Sequence, residues 1–361
     1  GQFDEIVWVT VGAGEPKILN LDLAGLYLKD VRTEEMDNIQ QKISAAVTLE
    51  SLFIEQPEFS GATTQAHLIN KTPYEIKARL AFGPSTGMIP SPYAIEEIVP
   101  ANTTKDVPIR LTMQEPMPSA KVQPLPAEWS MSFTLPGREK PVVLKGTTAV
   151  ILSTPLACPK AEGKITLDGK LDDWKVLPIS SADSKTFTSH SKWNGPADSA
   201  FRMATAYDDQ YVYIAVETDD DSLFFDPTVP PWSQDGLEFR IDARSREDRQ
   251  KATTMKAFTD IMSWAVSPGA TGSEIACPDF DKLPQGTKIV CVRTDKGMIT
   301  EIAIPADYFN KLQGGQWKDF RLNVYVDDKD KTLEGAASFR QFRWQPGWKT
   351  ASETTGTFVR Q

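Results

Sequence analysis

Histidine is nearly absent: His67 and His190 are the only two in 361 residues, and cysteine occurs three times, at 158, 277 and 291. So little imidazole and thiol excludes a zinc site of the usual ligand spacing and leaves no basis for a Ser/His/Asp centre. A basic surplus is also missing. Lys and Arg total 39 against 49 Asp and Glu, a net charge of −10 with neither half basic, so no face is offered to a phosphate backbone and nucleic acid is not a partner. No run approaches the roughly 18 apolar residues of a membrane span. The Gly-containing stretches GAGEP and GPSTG lack the lysine and helix start of a phosphate loop. No leader is present either. The opening GQFDEIVWVT reads as the start of a mature protein with Gly1 left by cloning, which implies a secreted or periplasmic location.

What the chain has is turn chemistry and strand periodicity. Twenty-six prolines and 22 glycines are spread along it, as many short strands joined by turns require. The text ILSTPLACPKAEG at 151–163 ends one strand-like run and precedes a new pattern, which divides the chain into domains 1–157 and 158–361. In the first, VRTEEMDNIQQKISAAV (32–48) predicts a helix, its early acidic residues suiting the dipole. From 49 onward strand-like runs alternate with turn clusters such as INKTP, VPANTT and LPGREK, which predicts an antiparallel sandwich. The second domain is almost all strand, with hairpins turning at DDQ and DKG and a short helix in PADYFNKL. At least eight strands in about 200 residues predict an all-β, jelly-roll-like double sheet. Within it, PPWSQDGLEFRID (230–242) places Leu237, Phe239 and Ile241 on one strand face and Glu238, Arg240 and Asp242 on the other. Trp232 lies just upstream, after two prolines that forbid a regular ladder. If the strand extends back to Trp232, its ring shares a face with the Glu238 carboxylate.

Several motifs resemble, in order, those of the family 9 carbohydrate-binding modules and their DOMON-like relatives: ITLDGKLDDWK (165–175), AYDDQYVYIAVETDDDSLF (206–224), PWSQDGLEFRID, EIAIPADYF (301–309), FRLNVYVDD (320–328) and RWQPGWKTASETTGTFVR (343–360). The resemblance spans about 160–361. A less specific one, in AHLINKTPYEIKARLAF and EEIVPANTTKDVPIRLTM, links roughly 49–155 to immunoglobulin-like accessory domains of secreted glycan-active proteins, with a strand ending in an Asn turn and a P-x-x-T turn before the next. The implied fold is two β-sandwiches, the first Ig-like with a short helix.

The resemblance implies a sugar slot between two tryptophans. Trp232 corresponds to the first and Trp348 to the second, with Trp344 as substitute. Glu238 corresponds to the carboxylate that accepts hydroxyl hydrogen bonds, and Arg240 shares its strand face. The ligand expected is a glucan or another plant or algal polysaccharide fragment, and the assembly a larger glycan-active one. The next strand departs from the family pattern: AFTDIMSWAV (257–266) is apolar where the family offers polar groups. Physically, flat aromatics suit the C–H faces of pyranose rings while polar side chains meet the hydroxyls.

The acidic loop TDDDSLFFD (218–226) predicts Ca²⁺, a hard cation taking several oxygens, through Asp219, Asp220, Asp221 and Asp226. A solvated acidic turn is the alternative. Trp174, with Asp168, Asp172 and Asp173, is expected to plug and organise a turn, and Trp193, Trp264 and Trp317 to anchor the core. Cys277 and Cys291 are near enough in sequence to bridge or to stand as separate thiols. Glu238 paired with Asp242 or Asp235 is what any alternating strand face produces, so a non-catalytic protein is expected. Two other readings stay open: a structural or protein-interaction module without sugar binding, and a b-type haem site using His190 or a lysine with Met203, Met255, Met262 or Met298.

Overall fold

The computed structural model describes the chain except residues 1–4, 11–16, 23–31, 34–38, 40–41, 43–45, 136–140, 182–187, 190–194, 227, 252–260, 270–274, 332–336 and 346–354. It divides into two compact units, one of residues 1–52 and 56–151, the other of 53–55 and 152–361, so the division falls at 151/152 where the sequence reading put it near Ala157. No helix of the described residues is long and apolar enough to cross a membrane.

The first unit opens with a small antiparallel sheet of Glu5–Thr10, Lys17–Asp22 and Arg32–Thr33, which the sequence reading did not anticipate. Most of the predicted 32–48 helix lies outside the described residues; Arg32 and Thr33 are strand, while Ile39 and Lys42 are helical. Two four-stranded sheets follow. One orders Val47–Leu49, Glu58–Asn70, Thr103–Pro118 and Met88–Ser91; the other orders Val142–Val150, Leu125–Phe133, Ile76–Phe82 and Ala94–Val99. The alternation in IKARLAF buries Ile76, Ala78, Leu80 and Phe82, and Leu68, Ile109 and Met131 of other strands are buried as well.

Both turn signals have a mechanism. Asn70 Nδ2 donates to the carbonyls of Tyr74, Val99 and Pro100, and its Oδ1 accepts from Thr72 N and Oγ1. Thr103 Oγ1 donates to Pro100 O at 2.8 Å, closing the P-x-x-T turn. Buried backbone groups that no ladder reaches are thereby satisfied.

The second unit is a sandwich. Its five-stranded sheet runs Ile179–Ser180, Ser199–Tyr207, Tyr211–Asp220, Gly297–Pro305, Lys288–Arg293. The eight-stranded sheet runs Leu156–Cys158, Thr357–Arg360, Asp319–Lys331, Gly236–Asp242, Met262–Pro268, Ile275–Ala276, with Ala337–Arg343 paired to Asp319–Lys331 and Thr188–Ser189 paired in turn to Ala337–Arg343. The predicted helix is present as Ala306–Gln313 after Pro305. The predicted phase holds: Leu237, Phe239 and Ile241 are fully buried and meet Phe201, Met203, Ile214 and Val216 of the facing sheet. Burying such side chains contributes about 1.5–3 kcal/mol each.

Trp264 stacks on Phe239 at 5.2 Å, and Trp317 sits among Phe309, Phe320 and Tyr207. Both are core anchors, as expected; Trp193 lies outside the described residues. Met203, Met262 and Met298 are packed in the same core, while His190 and Met255 lie outside the described residues. All three cysteines are free thiols, so Cys277 and Cys291 are not bridged.

Candidate functional site

The outward residues of the eight-stranded sheet form a polar face. Register places Glu238 opposite Tyr325, and Tyr325 opposite Arg343; one rung along, Gly236 faces Asp327 and Asp327 faces Gln341. Two-residue periodicity puts Arg240 and Asn323 on the same side. Hydrogen bonds connect the set. Arg240 Nη2 donates to Glu238 Oε2 at 2.8 Å, and Gln341 Nε2 donates to both Glu238 Oε1 and Asp327 Oδ1 at 2.8 Å. Both guanidinium groups pack on the Tyr325 ring, Arg240 at 4.3 Å and Arg343 at 4.8 Å from its centre. Burial raises the Asp327 carboxyl well above the usual carboxylate range, and the Glu238 charge beside it adds to the effect.

Trp232 stands at the end of this face, with a correction to its setting. The strand begins at Gly236, not at 232, and Trp232 belongs to a short 3-10 turn, Pro231–Ser233. The turn folds onto the strand because Gly236 has no side chain: a Cβ there would lie 2.6 Å from the Pro231 carbonyl oxygen. Gln234 and Asp235 fix the turn from below. Gln234 Nε2 donates to Val229 O and Ser267 Oγ, and Asp235 accepts from the backbone amides of Phe224 and Lys329. The Trp232 ring is left 44% exposed, whereas Trp264, Trp317 and Trp344 are at most 2% exposed.

The other expected site residues separate. Glu238 and Arg240 are partly buried members of the polar face. Trp344, the substitute for the second slot wall, is fully buried beside Phe358 and offers no ring to a ligand, because strand phase turns it inward with Phe342. Trp348 lies outside the described residues. Asp242 is held by two hydrogen bonds to the Arg244 guanidinium, so it does not pair with Glu238.

The acidic residues regroup across the sequence. Carboxylate oxygens of Asp220, Asp235 and Asp328 lie within 4.8 Å of one another, and so do those of Asp220, Asp221 and Asp330. Asp219 is exposed, because strand alternation turns it away from Asp220. Asp226 instead caps its own turn, accepting from Thr228 N and Oγ1. Neither joins the two groups. Burial, with neighbouring carboxylates, pushes Asp235 up to about 8 and Asp220 up to about 6. An all-oxygen cluster of this kind is suited to a hard cation.

On the opposite face of the sandwich, the opening ITLDGKLDDWK has a partner the sequence reading missed. The buried Glu301 accepts from Asp168 N, Gly169 N and Trp174 Nε1 at 2.8–3.1 Å. Gly169 adopts φ +78°, which a side chain disfavours, and so presents its amide to that carboxylate. Asp173 accepts from Thr166 N, and Trp174 packs with Ile165, Leu167 and Tyr213, so both serve the turn as expected. A cavity of about 310 Å³ opens beside Trp174, lined mainly by apolar groups including Ile165, Val176, Ile179, Ala204 and Ala206.

The profile of the family described as "Carbohydrate family 9 binding domain-like" matches residues 167–354, more than half of the chain. The chain belongs to this family. Among solved structures, a family 9 carbohydrate-binding module from Caldicellulosiruptor kristjanssonii in complex with cellotriose aligns at 14% identity and TM-score 0.38, covering 57% of this chain and 94% of that one. A module from the same organism in complex with glucose aligns at 15% identity and TM-score 0.37, covering 57% and 96%. The YadV chaperone aligns at 9% identity and TM-score 0.18 over 82% of this chain and 99% of its own. No curated protein matches. The family is one of carbohydrate-binding domains, and the second unit is its representative here.

Proposed function

We propose that the second unit binds a sugar ring of a glycan on the outer face of the eight-stranded sheet, without catalysis. Trp232 covers one apolar face of the ring, and Glu238 and the Gln341 side-chain oxygen accept hydrogen bonds from its hydroxyls. The observation that carries this reading is the exposed Trp232 ring, held at the end of a polar face by a turn that Gly236 admits. Aromatic rings of this size otherwise go to the core, as three other tryptophans of this unit do. The family resemblance assigns the second wall of the slot to Trp348. One aromatic platform, a second wall and a few hydrogen bonds, after the cost of association, give affinities of about millimolar to micromolar.

In the same reading the first unit is a spacer or docking module, and the protein works outside the cytoplasm, where plant or algal polysaccharide is met. A Ca²⁺ ion held by Asp220, Asp235 and Asp328 has a structural role: it relieves the repulsion among buried carboxylates and fixes the loop that leads into Trp232. Titration calorimetry against cello-, xylo- and galacto-oligosaccharides tests the reading. Saturable binding is expected, weakened about tenfold to a hundredfold by Trp232→Ala, the loss of one buried aromatic contact. Silence across the panel, or unchanged affinity in Trp232→Ala, contradicts it.

A further inference from the structure

We infer that the sugar taken by this face carries a carboxylate, as a uronic acid does, and that Arg343 with Arg240 receives it. The inference rests on the binding face proposed above and specifies its ligand class.

Charge is the first ground. Arg240 and Arg343 reach the Tyr325 ring from the strands on either side of it, so two guanidinium cations share one aromatic floor. Arg240 is offset by Glu238, whose two oxygens are committed to Arg240 and Gln341. Arg343 has no carboxylate within salt-bridge reach among the described residues; its side-chain hydrogen bond goes to the neutral Gln341 Oε1, at 3.2 Å. Arg343 is thus a cation of this face with no ionic partner among the described residues.

Unsatisfied donors are the second ground. The Nε atoms of both Arg240 and Arg343 are buried and have no hydrogen-bond partner. Buried donors are almost always paired, so two without a partner on one face are what a bound acceptor would account for. A guanidinium presents its N–H groups in a planar fork that a carboxylate matches with two parallel hydrogen bonds, shorter and stronger than those to a hydroxyl. The Gln341 Oε1 atom, which accepts from Arg343, has a second lone pair for a hydroxyl of the same ring. Cation and acceptor together suit a sugar that bears both an acid group and hydroxyls.

The test is titration of the full chain with matched neutral and acid pairs: glucose with glucuronate, galactose with galacturonate and mannose with mannuronate, as short oligosaccharides, at low and high salt. At least one acid member is expected to bind about tenfold more tightly than its neutral partner, with the advantage shrinking as salt rises. Arg343→Gln should bring that acid member down to the affinity of its neutral partner. Arg343→Lys keeps the charge but loses the fork, so it should fall between the two. Thermal melting checks that each variant is folded. Neutral members binding as well as or better than every acid member would overturn the inference while leaving the face as the binding site. Silence from all members would overturn both. Equal loss of neutral and acid binding in folded Arg343→Gln would also overturn it.

Discussion

On the five-stranded sheet of the second unit, the outward residues across two rungs are Ala204, Ala215 and Glu301, then Ala206, Tyr213 and Ala303. These are mostly small, and the chain's own segment with Ile165, Leu167 and Trp174 covers them, held by Glu301. On the eight-stranded sheet the matching positions are Glu238, Arg240, Tyr325, Asp327, Gln341 and Arg343, and the tryptophan there stays exposed. Both sheets obey the same alternation, and both have a tryptophan at the outer side. The difference lies in what the ring meets. Trp174 finds an internal acceptor and becomes part of the fold, whereas Trp232 is carried on a turn and stays 44% exposed.

Breaking the internal latch has the largest expected effect. Glu301→Ala strands three donors at a buried site, and should lower the stability of the protein by about 3 kcal/mol in chemical denaturation. A loss below about 0.5 kcal/mol would show that the segment does not depend on Glu301.

Next come the acidic groups. Asp235 is held above the unfolded carboxyl value, at about 8, so the metal-free folded protein binds more protons than the unfolded chain. Stability in chelator should therefore fall as pH rises from about 4 to about 8. Calcium at a hundred times its dissociation constant should restore about 2.7 kcal/mol at neutral pH. Melting curves insensitive to calcium would remove the cation from the account.

Trp174→Phe keeps most of the packing but loses the donor to Glu301, and should cost about 1 kcal/mol. The smallest effect belongs to the first unit, where His67 joins Asp106 at 2.7 Å and Glu50 at 3.2 Å across neighbouring strands. Its partial burial alone would lower its pKa, but the two carboxylates prevail and raise it. The contribution is thus present in acid and lost as pH climbs through the folded value. Because its carboxylate partners are exposed, it should amount to a few tenths of a kcal/mol, up to about 1, read as the pH-dependent difference between wild type and His67→Gln.

Much of the architecture was legible in local pattern. LEFRID buried its apolar phase, the DDQ hairpin closed on Asp208, and Asn70 and Thr103 organised the turns their spacing announced. The expectation that the strand extends back to Trp232 did not hold: Trp232 sits on a 3-10 turn ahead of Gly236. The turn over Gly236 depends on a contact between Pro231 and the strand beneath, which no periodicity reveals.

The acidic cluster shows the limit more sharply. The loop at 218–226 looked self-sufficient, yet the carboxylates that meet Asp220 come from 235, 328 and 330, brought together by sheet pairing. Strand alternation could have removed Asp219 in advance, since neighbours on a strand point to opposite faces. Tyr325, Asp327, Gln341 and Arg343 were missed because their common face exists only once strand order and register are known. Trp344 was misplaced for the same reason: two residues beyond the inward Phe342, it shares that phase.

The most direct measurement is ¹⁹F NMR of the protein labelled with 5-fluorotryptophan, titrated with an oligosaccharide that binds. Its nine tryptophans give separate reporters, with Trp232 and Trp174 assigned by Trp232→Phe and Trp174→Phe. The account predicts that the Trp232 signal shifts in a saturable way while the Trp174 signal stays in place. A shift of Trp174 with Trp232 unmoved would put the sugar at the cavity on the opposite face and contradict it.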